Sequence, residues 1–262
     1  MFDTDIKNKV FLITGVNGQL GIALCQTIIN LGGKIAGLDL DFKQIKKIAL
    51  KEKWTINDYM FLKTDITNQK LLKVSFNLIL KQYKKIDFLI NNAAVSIFSN
   101  WQNRLDKDLD LVTDVNIKGT LNCIKFFARF LKNKKKFGAI VNVASHYGLV
   151  TPDPRIYADC KRRNSEIYGA TKAAIIQITK YFATNSSYDG VNLRINAVAP
   201  GGILNEKKPQ GKIFQKNYSY RTPLNRMAYS NEIVWPILFL LSKKASYING
   251  HTLVIDGGYT AW

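Results

Sequence analysis

Thr14-Gly15-Val16-Asn17-Gly18-Gln19-Leu20-Gly21 is the stretch on which the fold of this chain turns. It follows an apolar run, Val10–Thr14, that reads as a buried strand, and it opens a helix-period segment, Gln19–Leu31. Glycines between a strand and a helix allow a tight turn and let backbone approach a pyrophosphate, which the free N–H groups and dipole of the helix attract. Gly15, Asn17, Gly18, Gln19, Leu20 and Gly21 are therefore candidate dinucleotide contacts. Asp39 ends the second strand candidate, Lys34–Asp39, where a carboxylate accepts both ribose hydroxyls of NAD and repels a 2′-phosphate. No Arg or Lys stands inside the loop, so NAD is expected in preference to NADP.

The same rhythm runs through the chain. Strand candidates follow at Met60–Lys63, Asp87–Asn91, Ala139–Ala144, Leu193–Val198 and Thr252–Ile255. Helix-period segments lie at Phe42–Lys51, Asn68–Tyr83, Leu105–Lys132, Ser165–Asn185 and Asn231–Leu241. Nearly continuous apolar strands alternating with amphipathic segments predict an α/β fold, a doubly wound (Rossmann-type) parallel sheet of about seven strands covered on both faces. With no repeat or linker, residues 1–262 are expected to form one domain. Residues 147–164 and 201–222 break the rhythm and read as loops at the mouth of a site.

Composition narrows the class. A hydrophobic share of 47% is that of an ordinary globular protein. No secretory signal is recognisable at the acidic start, and Ile233–Leu241 is too short to span a bilayer. Cys25, Cys123 and Cys160 form neither a redox pair nor a metal-ligand spacing, so no metal is expected and a reducing cytoplasm is the simplest home. Lys and Arg number 38 against 19 Asp and Glu, a net charge of +19. That charge suits an anionic partner or simply a lysine-rich surface. The scatter of the lysines and the lack of a nucleic-acid module favour the surface reading.

Tyr168 and Lys172 stand one helical turn apart and share a face. Ser145 ends the strand before them. Further marks appear in order: Asp65; Asn91-Asn92-Ala93-Ala94; Asn116 in Val115-Asn116-Ile117-Lys118-Gly119; Asn142-Val143-Ala144-Ser145; Asn196-Ala197-Val198-Ala199-Pro200-Gly201; and Val254-Ile255-Asp256-Gly257-Gly258. Together they resemble the short-chain dehydrogenase/reductase family over nearly the whole chain.

The resemblance implies an NAD(P)-dependent oxidoreductase acting on CH–OH groups. Tyr168 would be the general acid in reduction and the base in oxidation. Lys172 would hold the nicotinamide ribose and favour phenolate, drawing the phenol down toward working pH. Ser145 would stabilise the developing alkoxide, and Asn116 would hold a water linking Lys172 to solvent. Asp65 with Ile66 would meet the adenine, and Asn92 with Ala93 the adenine-side ribose and loop. Pro200, Gly201 and the backbone of Ile203 would line the carboxamide side.

Three departures from the family pattern stand out. The middle glycine comes one place early, at Gly18, with Gln19 behind it. The usual threonine after Pro200-Gly201 is missing, with Asn205 near its place. The stretch from Ser145 to Tyr168 is longer than usual and carries Arg155, Lys161, Arg162 and Arg163. Ser145 and His146 are candidate substrate contacts; Arg155 and Arg162 would clamp a substrate carboxylate or phosphate, or else belong to an exposed basic loop or a subunit contact. The insertion and the ending Asp256-Gly257-Gly258-Tyr259-Thr260-Ala261-Trp262 look like a bacterial subgroup linked to flagellin modification and nonulosonic-acid sugars.

The expected substrate is thus a small molecule: a sugar, nucleotide-linked sugar or nonulosonic-acid-type alcohol or ketone, anionic in the sharper form. A 3-oxoacyl-carrier-protein reductase is the enzymatic alternative. A cofactor sensor or nucleic-acid-binding protein on the same scaffold is the non-enzymatic one. The family implies a homodimer or homotetramer, built through the long helices, the last strand and the aromatic tail; Trp262 would pack there or on its own core.

Overall fold

The computed structural model describes residues 3–158 and 163–262. In chain order its elements are α1 (Asp3–Ile6), β1 (Val10–Thr14), α2 (Gln19–Asn30), β2 (Lys34–Asp39), α3 (Lys43–Lys51), β3 (Tyr59–Lys63), α4 (Gln69–Tyr83) and β4 (Phe88–Asn91). There follow α5 (Asp106–Thr113), a π turn (Asp114–Gly119), α6 (Thr120–Lys134), β5 (Gly138–Val143), α7 (Glu166–Tyr188), β6 (Leu193–Pro200), α8 (Lys212–Arg221), α9 (Ser230–Leu241) and β7 (Thr252–Ile255). The strands form one seven-stranded sheet in the order β3-β2-β1-β4-β5-β6-β7, and every neighbouring pair is parallel.

Period-two alternation explains the layers. Phe11 and Ile13 of β1 face a core shared with α2 and α9, whereas Val10 and Leu12 face one shared with α4, α6 and α7. The chain winds outward from β1 to β3, then returns to lay β4 on the other side of β1. That reversal opens a crevice beyond the carboxyl ends of the strands, the place where such sheets hold ligands.

Two segments depart from expectation. Residues 201–222, expected as loop, contain α8: Phe214 and Tyr218, one turn apart, supply an apolar stripe that the polar residues around them mask. Leu105–Lys132, expected as one helix, widens at the π turn around Asn116, a feature common at functional sites. No helix among the described residues is long and apolar enough to cross a membrane.

Arg194 is a buried cation within β6. Its guanidinium donates to the carbonyls of Leu240 (2.9 Å), Leu241 (3.3 Å), Ser242 (3.0 Å) and Ile248 (3.2 Å). Two of these, Leu240 and Leu241, belong to the last turn of α9, whose carbonyls have no helical N–H to accept from and attract positive charge. Arg194→Met should lower stability by about 2–4 kcal/mol, because it strands those buried carbonyls. Denaturant unfolding measures the loss, and a midpoint like that of the wild type would refute the account.

Candidate active site

The glycine loop is locked by its neighbours. Thr14 Oγ1 accepts from the backbone N–H groups of Asn92 and Ala93, both at 3.0 Å. Asn92 Nδ2 donates to the carbonyls of Thr14 (3.0 Å) and Gly15 (2.9 Å). The end of β4 therefore holds the end of β1. Gly15 sits at φ +70°, a left-handed conformation that favours glycine. Gly21 packs so closely that a Cβ there would fall 2.1 Å from the Gly15 oxygen. Asp39 Oδ2 accepts from Asn17 N at 2.8 Å, and Asn17 Oδ1 accepts from the first-turn amides of α3, Gln44 and Ile45, at 3.0 Å.

A cavity of about 450 Å³ opens here. Gly15, Asn17, Gly18, Gln19 and Leu20 form one wall, and Asp39, Asp65, Ile66, Asn92 and Ala93 the other. Gly21 lies behind the loop and supports it rather than lining the cavity. The residues fit a dinucleotide: Gly18 begins α2 without a side-chain cap, so its first N–H groups are free for an anion, and Asp39 offers a carboxylate beside them.

A second cavity, about 470 Å³, adjoins the first at Ala94 and Val95. Ser145, His146, Tyr168, Gly201 and Ile203 line it. Ser165 caps α7 by accepting from Tyr168 N at 3.1 Å, so Tyr168 falls in the first turn with Lys172 one turn further in. Arg104, its side chain almost wholly buried, pairs with Glu166 at the start of the same helix. The Ser145 hydroxyl stands close enough to the Tyr168 phenol to favour its ionised form.

The Tyr168 phenol lies above its ordinary pKa: burial raises it more than the Ser145 hydroxyl lowers it. The phenol is thus raised rather than drawn down toward working pH as expected, because burial outweighs what favours the phenolate. Lys172 Nζ lies 5.6 Å from the Tyr168 ring centre and donates to the Val143 carbonyl at 2.7 Å. Burial lowers Lys172 itself to about 8, so it stays mostly charged at pH 7 and loses that charge as pH rises through 8.

Asn116 does not line either cavity. Its Oδ1 accepts from Val95 N (2.9 Å), and its Nδ2 donates to the Val95 carbonyl and to Thr171 Oγ1 (3.0 Å each). The side chain thus fastens the π turn to the segment after β4 and to α7. Pro200 contributes its carbonyl to His146 Nδ1 at 2.9 Å. Arg155 stands away from the cavity, 83% exposed, and pairs with Asp153 through two guanidinium nitrogens. That pairing holds Asp153 at about 2 and occupies the cation expected to clamp an anion. Arg162 lies outside the described residues.

Sequence reasoning missed the aromatic wall of this cavity. Tyr147 and Tyr157, their hydroxyls 3.0 Å apart, join Phe214, Tyr218 and Met227. Tyr157 comes from the insertion and Phe214 and Tyr218 from α8, so the wall exists only after folding. The i, i+4 spacing of Phe214 and Tyr218 was its one legible signal. Among the described lining residues none is Lys, Arg, Asp or Glu. Gln19 was also under-read: its amide donates to the Leu204 carbonyl (2.5 Å) and to Ser230 Oγ (3.1 Å), spanning the mouth between the glycine loop and the 203–205 segment.

A family model described as Enoyl-(Acyl carrier protein) reductase matches residues 15–260. The chain belongs to the short-chain dehydrogenase/reductase family. It is similar to the 3-oxoacyl-[acyl-carrier-protein] reductase of Thermotoga maritima, at 30% identity over 97% of this chain and 98% of that one. It is also similar to the post-translational flagellin modification protein A of Campylobacter coli, at 26% identity over 97% and 99%. A crystal structure of a short-chain dehydrogenase from Leptospira borgpetersenii with bound NAD+ superposes with a TM-score of 0.87, at 34% identity over 99% of this chain and 96% of that one. This short-chain dehydrogenase/reductase is an oxidoreductase of alcohols or ketones that uses a nicotinamide cofactor.

Proposed function

We propose that this enzyme oxidises an uncharged, carbohydrate-like secondary alcohol, or reduces the corresponding ketone, with NAD(H). The observation that carries this reading is the joined pair of cavities, one at the glycine loop and Asp39, the other at Ser145 and Tyr168. Bound NAD would take up or supply the hydride. In oxidation Tyr168 accepts the hydroxyl proton as the carbon becomes a carbonyl, and in reduction it returns that proton to the oxygen. Ser145 donates to the same oxygen and stabilises its developing charge. Lys172, one turn along α7, stabilises the phenolate and reaches toward the nicotinamide ribose. Any water at Asn116 would rest on its backbone, since its side-chain amide is taken up by Val95 and Thr171.

The aromatic lining favours a substrate with an apolar face, such as the C–H face of a sugar ring, over an anionic one. Flagellin modification in one relative supports the carbohydrate reading. The net charge of +19 supports a second reading, an acyl-carrier substrate, for which an acidic carrier protein would be the partner. Steady-state rates with acetoacetyl thioesters and with neutral ring ketones separate the two.

NAD preference rests on Asp39, with Asp41 beside it and Leu40 between them. A 2′-phosphate would face both carboxylates. NAD should exceed NADP in kcat/KM by at least about tenfold, some 1.4 kcal/mol, and Asp39→Ser combined with Leu40→Arg should erase that margin. Equal use of the two cofactors by the wild type would sink the assignment.

Assembly as a dimer or tetramer is part of the same proposal. Tyr181 and Tyr188 of α7 stand out of the surface at 57% and 94% exposure, and Trp262 at 68%, while Tyr259 is buried. Trp262 is thus available for a subunit contact rather than spent on its own core.

A further inference from the structure

His146 follows Ser145 and shares its cavity, yet the proposed proton chemistry gives it no task. The residue is 2% exposed. Its Nδ1 lies 2.9 Å from the Pro200 carbonyl oxygen. A carbonyl oxygen only accepts, so the proton sits on Nδ1 and the neutral ring presents Nε2 as an acceptor. Burial holds the imidazole below its ordinary pKa, against a smaller opposing pull from Asp256, which keeps the neutral form at pH 7.

Nε2 is buried and has no hydrogen-bond partner among the described residues. The rings of Tyr147 and Tyr259 pack against the imidazole, centres 4.0 and 4.8 Å away, without supplying a donor. Buried acceptors in native proteins are satisfied, and one left unpaired on a cavity-lining side chain marks where a ligand completes it. Other polar groups of the lining are engaged. Gln210 is spent on Asn205 N and the Ile203 carbonyl. Ser96 and Asn164 bind each other, and Tyr147 and Tyr157 do the same.

We infer that His146 Nε2 accepts a hydrogen bond from a second hydroxyl of the substrate, next to the reacting carbon. The substrate class is then an uncharged vicinal diol or its α-hydroxy ketone, with Ser145 and His146, consecutive in the chain, serving the two oxygens. The inference rests on the roles proposed for Ser145 and Tyr168, and His146 determines specificity rather than carrying the proton.

The test pairs cis-cyclohexane-1,2-diol with cyclohexanol. The wild type should favour the diol in kcat/KM by at least tenfold. His146→Phe, which keeps a ring, should remove that preference whatever happens to the absolute rates, and His146→Gln, which keeps an acceptor, should restore part of it. No preference in the wild type, or a preference that survives in His146→Phe, overturns the inference. A second readout needs no turnover. The chain has two histidines, so 15N-labelled imidazole signals are readily assigned in the NADH-saturated protein, which cannot oxidise the diol. The protonated nitrogen should be Nδ1, and the diol, but not cyclohexanol, should shift Nε2. An Nε2–H tautomer, or an Nε2 indifferent to the diol, overturns the inference. Failure of the parent reading shows differently, as no cofactor reduction with any alcohol.

Discussion

Tyr168→Phe should lower kcat by at least about a thousandfold, the middle of the range for loss of a general acid–base, while NADH still binds within about threefold of the wild type. The variant keeps the ring that α7 presents to the cavity and removes only the phenol oxygen beside Ser145. Stopped-flow hydride transfer and NADH fluorescence titration measure the two quantities separately. Retention of a tenth of the wild-type rate would overturn the role. The wild-type pH profile follows from the same group. Burial holds the phenol above its ordinary pKa, so at neutral pH it carries its proton and is ready for reduction. Oxidation needs the phenolate, so its rate should climb as pH rises above neutral. Lys172, at about 8, loses its supporting charge over the same range.

Gly21→Ala should weaken NADH binding by at least about a hundredfold, some 2.7 kcal/mol, and lower stability by about 1–3 kcal/mol, the usual cost of overpacking. Its new methyl group would lie 2.1 Å from the Gly15 oxygen and 2.8 Å from Val16 Cα. Backbone cannot swing aside as a side chain can, so α2 must move away from the loop. Gly18→Ala is the control. Gly18 has φ −75°, and its added Cβ would meet nothing nearer than the Gly15 oxygen at 3.4 Å. It should keep the wild type's stability within about 0.5 kcal/mol, since nothing in the fold has to move. Calorimetric titration with denaturant unfolding tests both variants. Equal behaviour of the two would refute the geometric account. The contrast also explains the irregular spacing of the loop: the fold has room for a side chain at position 18, whereas position 15 needs a left-handed backbone and position 21 the absence of a Cβ.

Elements fixed by local pattern were legible before folding. The strands were found to within about two residues: the central ones are buried on both faces and read as apolar runs, and the half-exposed edge strands β3 and β7 are still largely apolar. The glycine loop, Asp39, Ser145, Tyr168 and Lys172 were legible because their chemistry ties each to a strand end or a helix start. α8 was missed because two aromatics among polar residues carry too little periodicity. The π turn was missed because a one-residue widening leaves almost no trace in an amphipathic pattern.

The chain by itself determined the doubly wound sheet, the glycine loop and the one-turn spacing of Tyr168 and Lys172 on α7, since each depends on residues near one another in sequence or on a period repeated along it. The substrate cavity was decided only by the tertiary structure. Its wall brings Tyr147 and Tyr157 of the insertion against Phe214 and Tyr218 of α8 and Met227 beyond it. Arg155, basic in sequence and so expected to bind an anion, turned out to be neutralised by Asp153 two residues away. His146 gained its free acceptor only when the end of β6 brought Pro200 to its other nitrogen. Specificity here depends on which groups are left unpaired after folding, and no local pattern records that.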